Sequence, residues 1–264
     1  MTRRLPRSLV AFTALCFVLL HLPVLVLAVF SLNRSRFSVQ WTGFTLEWYR
    51  RLLERQDILA ALRVSLTVGA VSTLVSTVLG TMIALALARH RFRGRTLLEG
   101  LLYLPIVTPE IVVGISLLLL FATLHMALGI ATIVVAHVAF SVSFVTVVVR
   151  ARLEGMDRTL EEAALTLGAD EVATFRRVTL PLLWPGILAG ALLAFTMSID
   201  DFVITFFVSG PGSTTLPVLI YSMARRTIEP TINAVSTVLV VVTTVLIFFF
   251  DRLTRGRGRT KGAL

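Results

Sequence analysis

The sequence predicts an all-α integral membrane protein with six transmembrane helices. Of the 264 residues, 56% are hydrophobic and only 15% are charged, and a soluble domain of this size could not bury so much apolar surface. Apolar runs of about 20 residues recur along the chain, and a helix needs that length to cross about 30 Å of hydrocarbon. The sequence lacks the alternating polarity of a membrane β-barrel, so a helical bundle is expected.

The apolar runs divide a single transmembrane domain, residues 1–264, into spans and connecting segments. The runs themselves cover roughly 9–30, 62–88, 97–120, 128–149, 185–208 and 232–250. The predicted organisation is a first span (1–30), a periplasmic loop (31–61), spans two to four (62–149), a cytoplasmic segment (150–184), spans five and six (185–250) and a basic cytoplasmic tail (251–264). Pro105 and Pro109 predict a kink in the third span.

The first apolar run follows Arg3, Arg4 and Arg7, an arrangement that is also typical of a cleaved signal peptide. The run is longer than a typical signal core, and residues 29–31 offer no pair of small residues for cleavage. We therefore expect it to remain as a membrane anchor. Most of the 25 basic residues flank the runs on the side of the chain termini, so the positive-inside rule places both termini in the cytoplasm.

Two segments are then expected on the outer side of the membrane. Residues 31–61 contain Trp41, Trp48 and Tyr49, which predict a loop or short amphipathic helix with its aromatic rings at headgroup depth. Residues 209–230 are expected to face an external receptor, an inference from topology alone.

The cytoplasmic segment contains a helix, a glycine turn and a second helix. Thr159 and Glu162 have the spacing of a capping box, which predicts a helix start. Gly168 stands where a left-handed residue would end that helix, and a second short helix is predicted from Asp170 until Pro181 stops it. The hairpin has an apolar face made of Leu160, Ala164, Leu167, Val172, Phe175 and Val178. From these residues alone it is either a hairpin lying on lipid headgroups or a contact for another protein.

The same hairpin resembles the EAA loop of bacterial ABC importer permeases. The matching residues are Glu162, Ala163, Ala164, Gly168, Val178, Leu180 and Pro181, with valine at 178 where that family usually has isoleucine. In that family the loop forms coupling helices that dock on a separate ATPase subunit. The resemblance implies the six-helix architecture of type I importer permeases (MetI-like), in the inner (cytoplasmic) membrane of bacteria.

A narrower resemblance is to the second permease of spermidine/putrescine-type importers. It rests on the stretches 161–169, 175–181 and 198–205, and also on 104–112 and 215–218. The resemblance implies import of polyamines, although related permeases for other small solutes share much of this frame. It also implies three kinds of partner: a pair of ATPase subunits that bind ATP and Mg, a second homologous permease, and a periplasmic substrate-binding protein.

Three acids inside the predicted spans support a cationic substrate independently. A charge at the centre of a span costs roughly 2.5–3.5 kcal/mol on insertion scales, so each one needs a reason. Asp200 and Asp201 lie about fifteen residues into the fifth span, or ~20 Å deep, and Glu110 reaches a comparable depth in the third. Carboxylates at one level of a bundle interior are suitable partners for ammonium groups.

Structural roles for these acids remain open beside that hypothesis. Ser198 or Asp200 could cap a broken helix, and Asp201 could pair with Arg225 or Arg226. Adjacent helical residues point about 100° apart, so Asp200 and Asp201 cannot both face the pathway in the same way.

Other chemistry is not indicated. The only lysine, Lys261, follows Thr260 in a basic tail, so the chain lacks a phosphate-binding loop and cannot hydrolyse ATP itself. With a single cysteine, Cys16, and His137 expected to be a lone satisfied histidine, no catalytic residue or metal site is predicted. The net charge of +10 does not form the basic stripe of a nucleic-acid-binding face.

Two other classes are weighed against a transporter subunit. An intramembrane aspartic protease would bring its two acids from separate segments, whereas Asp200 and Asp201 are neighbours. An ion-driven carrier or channel would not need the glycine-broken cytoplasmic hairpin, and the six runs show no obvious inverted repeat.

Overall fold

The computed structural model describes residues 7–35, 40–226 and 230–256, and it is helical throughout apart from turns and one isolated bridge between Asn33 and Phe44. The helices are α1 (Arg7–Phe30), α2 (Glu47–Glu54), α3 (Gln56–Arg89), α4 (Arg95–Val107), α5 (Glu110–Thr123), α6 (Ile130–Glu154), α7 (Thr159–Thr166), α8 (Glu171–Thr174), α9 (Leu180–Asp200), α10 (Val203–Val208), α11 (Leu216–Arg226) and α12 (Pro230–Gly256). A π-helical turn, Phe175–Thr179, joins α8 to α9.

Five helical stretches of the described chain are long and apolar enough to cross a membrane. They are Ser8–Phe30, Gln56–Arg89, Ile130–Glu154, Glu171–Asp200 and Pro230–Phe248. The pair α4 and α5 meets the same test but is bent by 114°, and it makes a sixth span if the two helices count as one. The predicted all-α membrane architecture is confirmed.

The third predicted span is broken rather than kinked. Thr108, between α4 and α5, has extended backbone angles (φ −77°, ψ 135°), because the ring of the following Pro109 disfavours a helical conformation there. Pro105 lies inside α4 without ending it. The sharp bend makes Glu110 the first residue of α5, not a residue in the middle of a continuous helix.

The described residues divide into two compact units, one from the ranges 1–59 and 219–244 and the other from the ranges 60–218 and 245–264. In the first unit, α2 is held by Trp48, whose indole Nε1 donates to the Asn33 carbonyl oxygen at 2.7 Å. Trp48 is only 4% exposed, so its ring packs inside the protein, whereas Trp41 is exposed. An aromatic side chain with one N–H donor suits such a buried site, because the ring packs while the N–H is satisfied.

The second unit is built around α6, which packs extensively on α9. One core cluster includes Val68, Phe121, Ile133, Ala136, Phe140, Ile204 and Val208. A second includes Ala84, Val145, Val149, Leu153, Leu183, Ile187 and Ala194. Val145 lies so close to Gly80 that a Cβ on that glycine would stand 2.8 Å from the valine side chain, so small residues let α3 approach α6.

Helix α7 begins differently from the prediction. The Asp157 carboxylate, rather than a capping box of Thr159 and Glu162, accepts the Thr159 N–H at 3.0 Å, and the N-cap residue is Arg158. The helix starts one residue earlier than a cap at Thr159 would require, so the predicted box is wrong. The predicted start at Asp170 is confirmed, because its carboxylate accepts the Ala173 N–H at 2.6 Å.

Pro181 does not stop the second helix. The chain runs as one helix from Glu171 to Asp200, through the π-helical turn and past the proline. A proline ring normally clashes with the carbonyl four residues earlier, and here that residue, Arg177, lies in the wider π turn, which makes room for the ring. The fifth span is therefore continuous with the second helix of the hairpin.

Two further segments contain helical residues. Residues 209–230, which are expected to face an external receptor, contain the helix α11. Helix α12 continues to Gly256, so the predicted tail starts as a helix, and the remainder of that tail, with Lys261, lies outside the described residues, as do Arg3 and Arg4.

Candidate functional site

A cavity of about 350 Å³ lies beside the break between α9 and α10. Its lining includes all three acids singled out from the sequence, Glu110, Asp200 and Asp201, together with His137 and Ser198. Three different parts of the chain supply these residues, namely the start of α5, the first half of α6 and the end of α9 with the residue that follows it. The fold thus brings Glu110 to residues that are about 90 positions away in sequence.

Asp201 has structural partners that satisfy its carboxylate. Its Oδ2 accepts the Thr205 N–H at 2.7 Å and the Thr205 hydroxyl at 2.6 Å, and its Oδ1 accepts the Ile204 N–H at 3.2 Å. These are free N–H groups in the first turn of α10, so Asp201 caps the second half of the broken span. The sequence suggests Ser198 or Asp200 as the cap of a broken helix, whereas the structure has Asp201 in that role. Arg225, considered from the sequence as a partner of Asp201, lies over the ring of Tyr221.

His137 is the buried partner of this cap. Its Nδ1 lies 2.7 Å from Ser198 Oγ, and its Nε2 lies 2.9 Å from Thr205 Oγ1 and 3.2 Å from Asp201 Oδ2. Ser198 Oγ is also 3.2 Å from Ser72 Oγ on α3. The expectation of a satisfied histidine is confirmed, but the sequence offered no local signal for its partners.

Asp200 and Glu110 differ from Asp201. Both are exposed, and neither forms a hydrogen bond or ion pair within the described part of the chain. Helix α9 ends at Asp200, and the side chains of Asp200 and Asp201 point in different directions. Asp201 caps α10, whereas Asp200 lines the cavity without a hydrogen-bond partner among the described residues. The cavity thus offers two carboxylates with free acceptor oxygens, which suit protonated amines rather than anions.

The hairpin that resembles an EAA loop forms a second candidate site. Of its family-matching residues, Glu162, Ala163, Gly168 and Pro181 are exposed, whereas Ala164, Val178 and Leu180 are half-buried. Gly168 has φ +89°, and the bonds from Gly168 N to Leu165 O and from Ala169 N to Ala164 O form a Schellman motif.

Exposed apolar side chains surround that turn. Leu167 is 88% exposed and Val172 is 65% exposed, while Leu160 and Phe175 are exposed to a lesser degree. Polar residues would be expected at positions facing only water, so this surface is suited to contact with another molecule.

Glu161, next to the motif, was not singled out from the sequence for a role of its own. Its side chain is largely buried and forms a two-pronged ion pair with the Arg89 guanidinium, and the Thr179 hydroxyl donates to its Oε1 at 2.7 Å. The Arg89 guanidinium holds the pKa of Glu161 below its ordinary value, with the Thr179 hydroxyl acting in the same direction and burial opposing both. In the described part of the chain, no group of three or more His, Cys, Asp or Glu side chains is arranged to hold a metal ion.

Solved structures share this fold. A bacterial ABC transporter involved in the import of the acidic polysaccharide alginate aligns with a TM-score of 0.74 and 16% identity over 97% of this chain and 96% of that one. An amino acid ABC transporter aligns with a TM-score of 0.62 and 19% identity over 80% of this chain and 99% of that one.

Curated relatives are more similar in sequence. The spermidine/putrescine transport system permease protein PotC of Escherichia coli (strain K12) is 39% identical over 251 residues, covering 95% of this chain and 94% of that protein. The putrescine transport system permease protein PotI of the same strain is 42% identical over 230 residues, covering 84% of this chain and 82% of that protein. Residues 76–256 match the family model described as binding-protein-dependent transport system inner membrane component. The chain belongs to that family of inner-membrane transport permeases.

Proposed function

We propose that this permease forms part of the pathway by which an ATP-driven importer carries polyamines, spermidine or putrescine, into the bacterial cytoplasm. The observation that carries the proposal is the similarity to spermidine/putrescine permeases over nearly the whole chain, at 39% identity. Both chain termini are proposed to be cytoplasmic, which puts the EAA-like hairpin on the same side as the arginine-rich flanks.

The cavity chemistry supports a cationic substrate separately from that similarity. Glu110 and Asp200 supply two carboxylates without protein partners, and a polyamine carries at least two ammonium groups. The fold alone does not set the sign of the substrate's charge, since a neighbour in fold takes part in the import of an acidic polysaccharide. The acids in the cavity, rather than the architecture, therefore support a cation.

The energy is proposed to come from partner subunits. Residues Glu162 to Pro181 would dock on an ATPase dimer that binds ATP and Mg, with a second homologous permease completing the pathway and a periplasmic protein delivering the substrate. The exposed Leu167 and Val172 fit such a docking surface. Moving the bundle from 1:99 to 99:1 in favour of one arrangement takes about 5.5 kcal/mol of differential affinity, which ATP binding would provide.

The proposal is tested by uptake of radiolabelled spermidine and putrescine in polyamine-transport-deficient cells that express this chain with its partner subunits. We expect ATP-dependent uptake that the double substitution Asp200→Asn with Glu110→Gln abolishes. Glu54→Gln is the matched control, because Glu54 is an exposed acid on α2 that pairs with Arg50 and is not part of the cavity lining. An assembled wild-type complex that hydrolyses ATP but takes up neither polyamine would show that the substrate is a different small solute.

A further inference from the structure

The side chain of Glu161 joins three segments that are separate in sequence. Arg89 is the last residue of α3, Glu161 lies in the first turn of α7, and Thr179 ends the π-helical turn before α9. Each carboxylate oxygen of Glu161 accepts from one terminal nitrogen of Arg89, and the Thr179 hydroxyl donates to Oε1. Such fork-to-fork pairing fixes orientation as well as distance.

A second bond lies beside this pair. The Arg158 Nη2 donates to the Ala88 carbonyl oxygen at 3.3 Å, so α7 is attached to the end of α3 through two neighbouring residues. The Glu161 side chain is 10% exposed and that of Arg89 is 30% exposed, so the glutamate end of the pair is buried and the arginine end is partly open to solvent. Removing Arg89 would leave the buried Glu161 charge uncompensated, so the ion pair is what holds this geometry.

The order of the helices along the chain shows why the Glu161–Arg89 pair matters for α3. Helix α7 follows α6 after a short turn and leads through Gly168 into the continuous helix of α8 and α9. A force applied at α7 therefore reaches α6 and α9 through the backbone. Helix α3, which ends about 70 residues earlier, has no such backbone connection to α7 and depends on side-chain contacts.

We propose that Glu161 is a positioning residue that couples the EAA-like hairpin to α3 through Arg89, so that ATPase closure moves α3 together with α9. This inference rests on the proposed function, since it takes the hairpin as the part that the ATPase moves. Glu161 itself faces inward, whereas the exposed Glu162 remains available to the ATPase. Glu162 is thereby assigned to docking on the ATPase, and Glu161 to passing the movement of the hairpin on to α3.

The test uses the whole transporter complex in lipid nanodiscs, with Cys16→Ser and a single bimane label. One label is placed on α3 by Met82→Cys and the other on α9 by Trp184→Cys, both exposed positions outside the two candidate sites. Fluorescence is compared without nucleotide and after trapping with ATP and vanadate. We expect both labels to respond in the otherwise unchanged chain, and Glu161→Gln to abolish the response on α3 while retaining that on α9.

Exchanging the two charges distinguishes loss of the Glu161–Arg89 pair from general damage to the fold. The double variant Glu161→Arg with Arg89→Glu is expected to recover the α3 response that each single reversal loses, while Glu54→Gln leaves both labels unaffected. An α3 response that survives Glu161→Gln, or one that the exchange fails to recover, would overturn the coupling role. A complex in which neither label responds before any substitution at Glu161 would overturn the proposed ATPase coupling, and with it this inference.

Discussion

His137 Nε2 lies 3.2 Å from Asp201 Oδ2 and 2.9 Å from Thr205 Oγ1, at the break between α9 and α10. Its other ring nitrogen reaches Ser198 on the opposite side of that break. One imidazole on α6 therefore fixes both halves of the interrupted span. A break in a membrane helix frees backbone groups that lipid cannot satisfy, so a buried polar cluster is the physical requirement for keeping it there.

Replacing His137 with alanine is expected to destabilise the protein. The substitution removes the His137 partner of the Ser198 hydroxyl and of the Asp201 carboxylate, and a buried polar group that loses a hydrogen-bond partner costs about 1–3 kcal/mol. We expect a lower thermal unfolding midpoint in detergent, with partial recovery in His137→Asn, which keeps one donor and one acceptor. The control is His90→Ala, at an exposed position. Equal midpoints for the two alanine variants would show that the cluster is not needed for stability.

Local signals explain what could be predicted from the sequence. Hydropathy located the spans because each run is contiguous, and Gly168 and Asp170 marked a turn because their effect lies within a few residues. The partners of Asp201 and Glu161 lie 64 and 72 residues away, at His137 and Arg89, and no periodicity within one helix encodes such a pairing. The sequence predicts a helix end at Pro181, because proline is a strong local stop signal, whereas the π turn that accommodates it has no recognisable sequence pattern.

Gly168→Ala is expected to impair the hairpin through its backbone alone. An added Cβ would meet no atom within 4 Å, but φ is +89°, and a left-handed conformation costs an L-residue about 1–2 kcal/mol. Uptake coupled to ATP hydrolysis should therefore fall in the order glycine, asparagine, alanine, since asparagine tolerates this conformation better. The matched control is Gly100→Ala, which also meets no atom within 4 Å but lies inside α4. If Gly100→Ala has as large an effect as Gly168→Ala, the left-handed backbone is not the cause.

The Glu161–Arg89 pair should give stability a defined pH dependence. The pKa of Glu161 is lowered in the folded protein by Arg89, so the stabilisation is present above the ordinary glutamate pKa of about 4.3 and is lost as the pH falls through the lower folded value. The unfolding midpoint of the wild type should exceed that of Glu161→Gln by a constant amount between pH 6 and 8. The difference should shrink below about pH 4. A gap that grows on acidification would contradict the pairing.

Neutralising Asp200 and neutralising Asp201 are expected to have different consequences, although the residues are adjacent. Asp200 is exposed without a partner, so Asp200→Asn should preserve the unfolding midpoint and raise the KM for spermidine at least about tenfold, or about 1.4 kcal/mol. Asp201→Asn weakens the cap of α10, so the free energy of unfolding should fall by about 0.5–2 kcal/mol and the unfolding midpoint should fall with it. Uptake kinetics and thermal unfolding of both variants, measured on the same preparations, decide the matter. A reversed pattern would assign the cation to Asp201 and the structural role to Asp200.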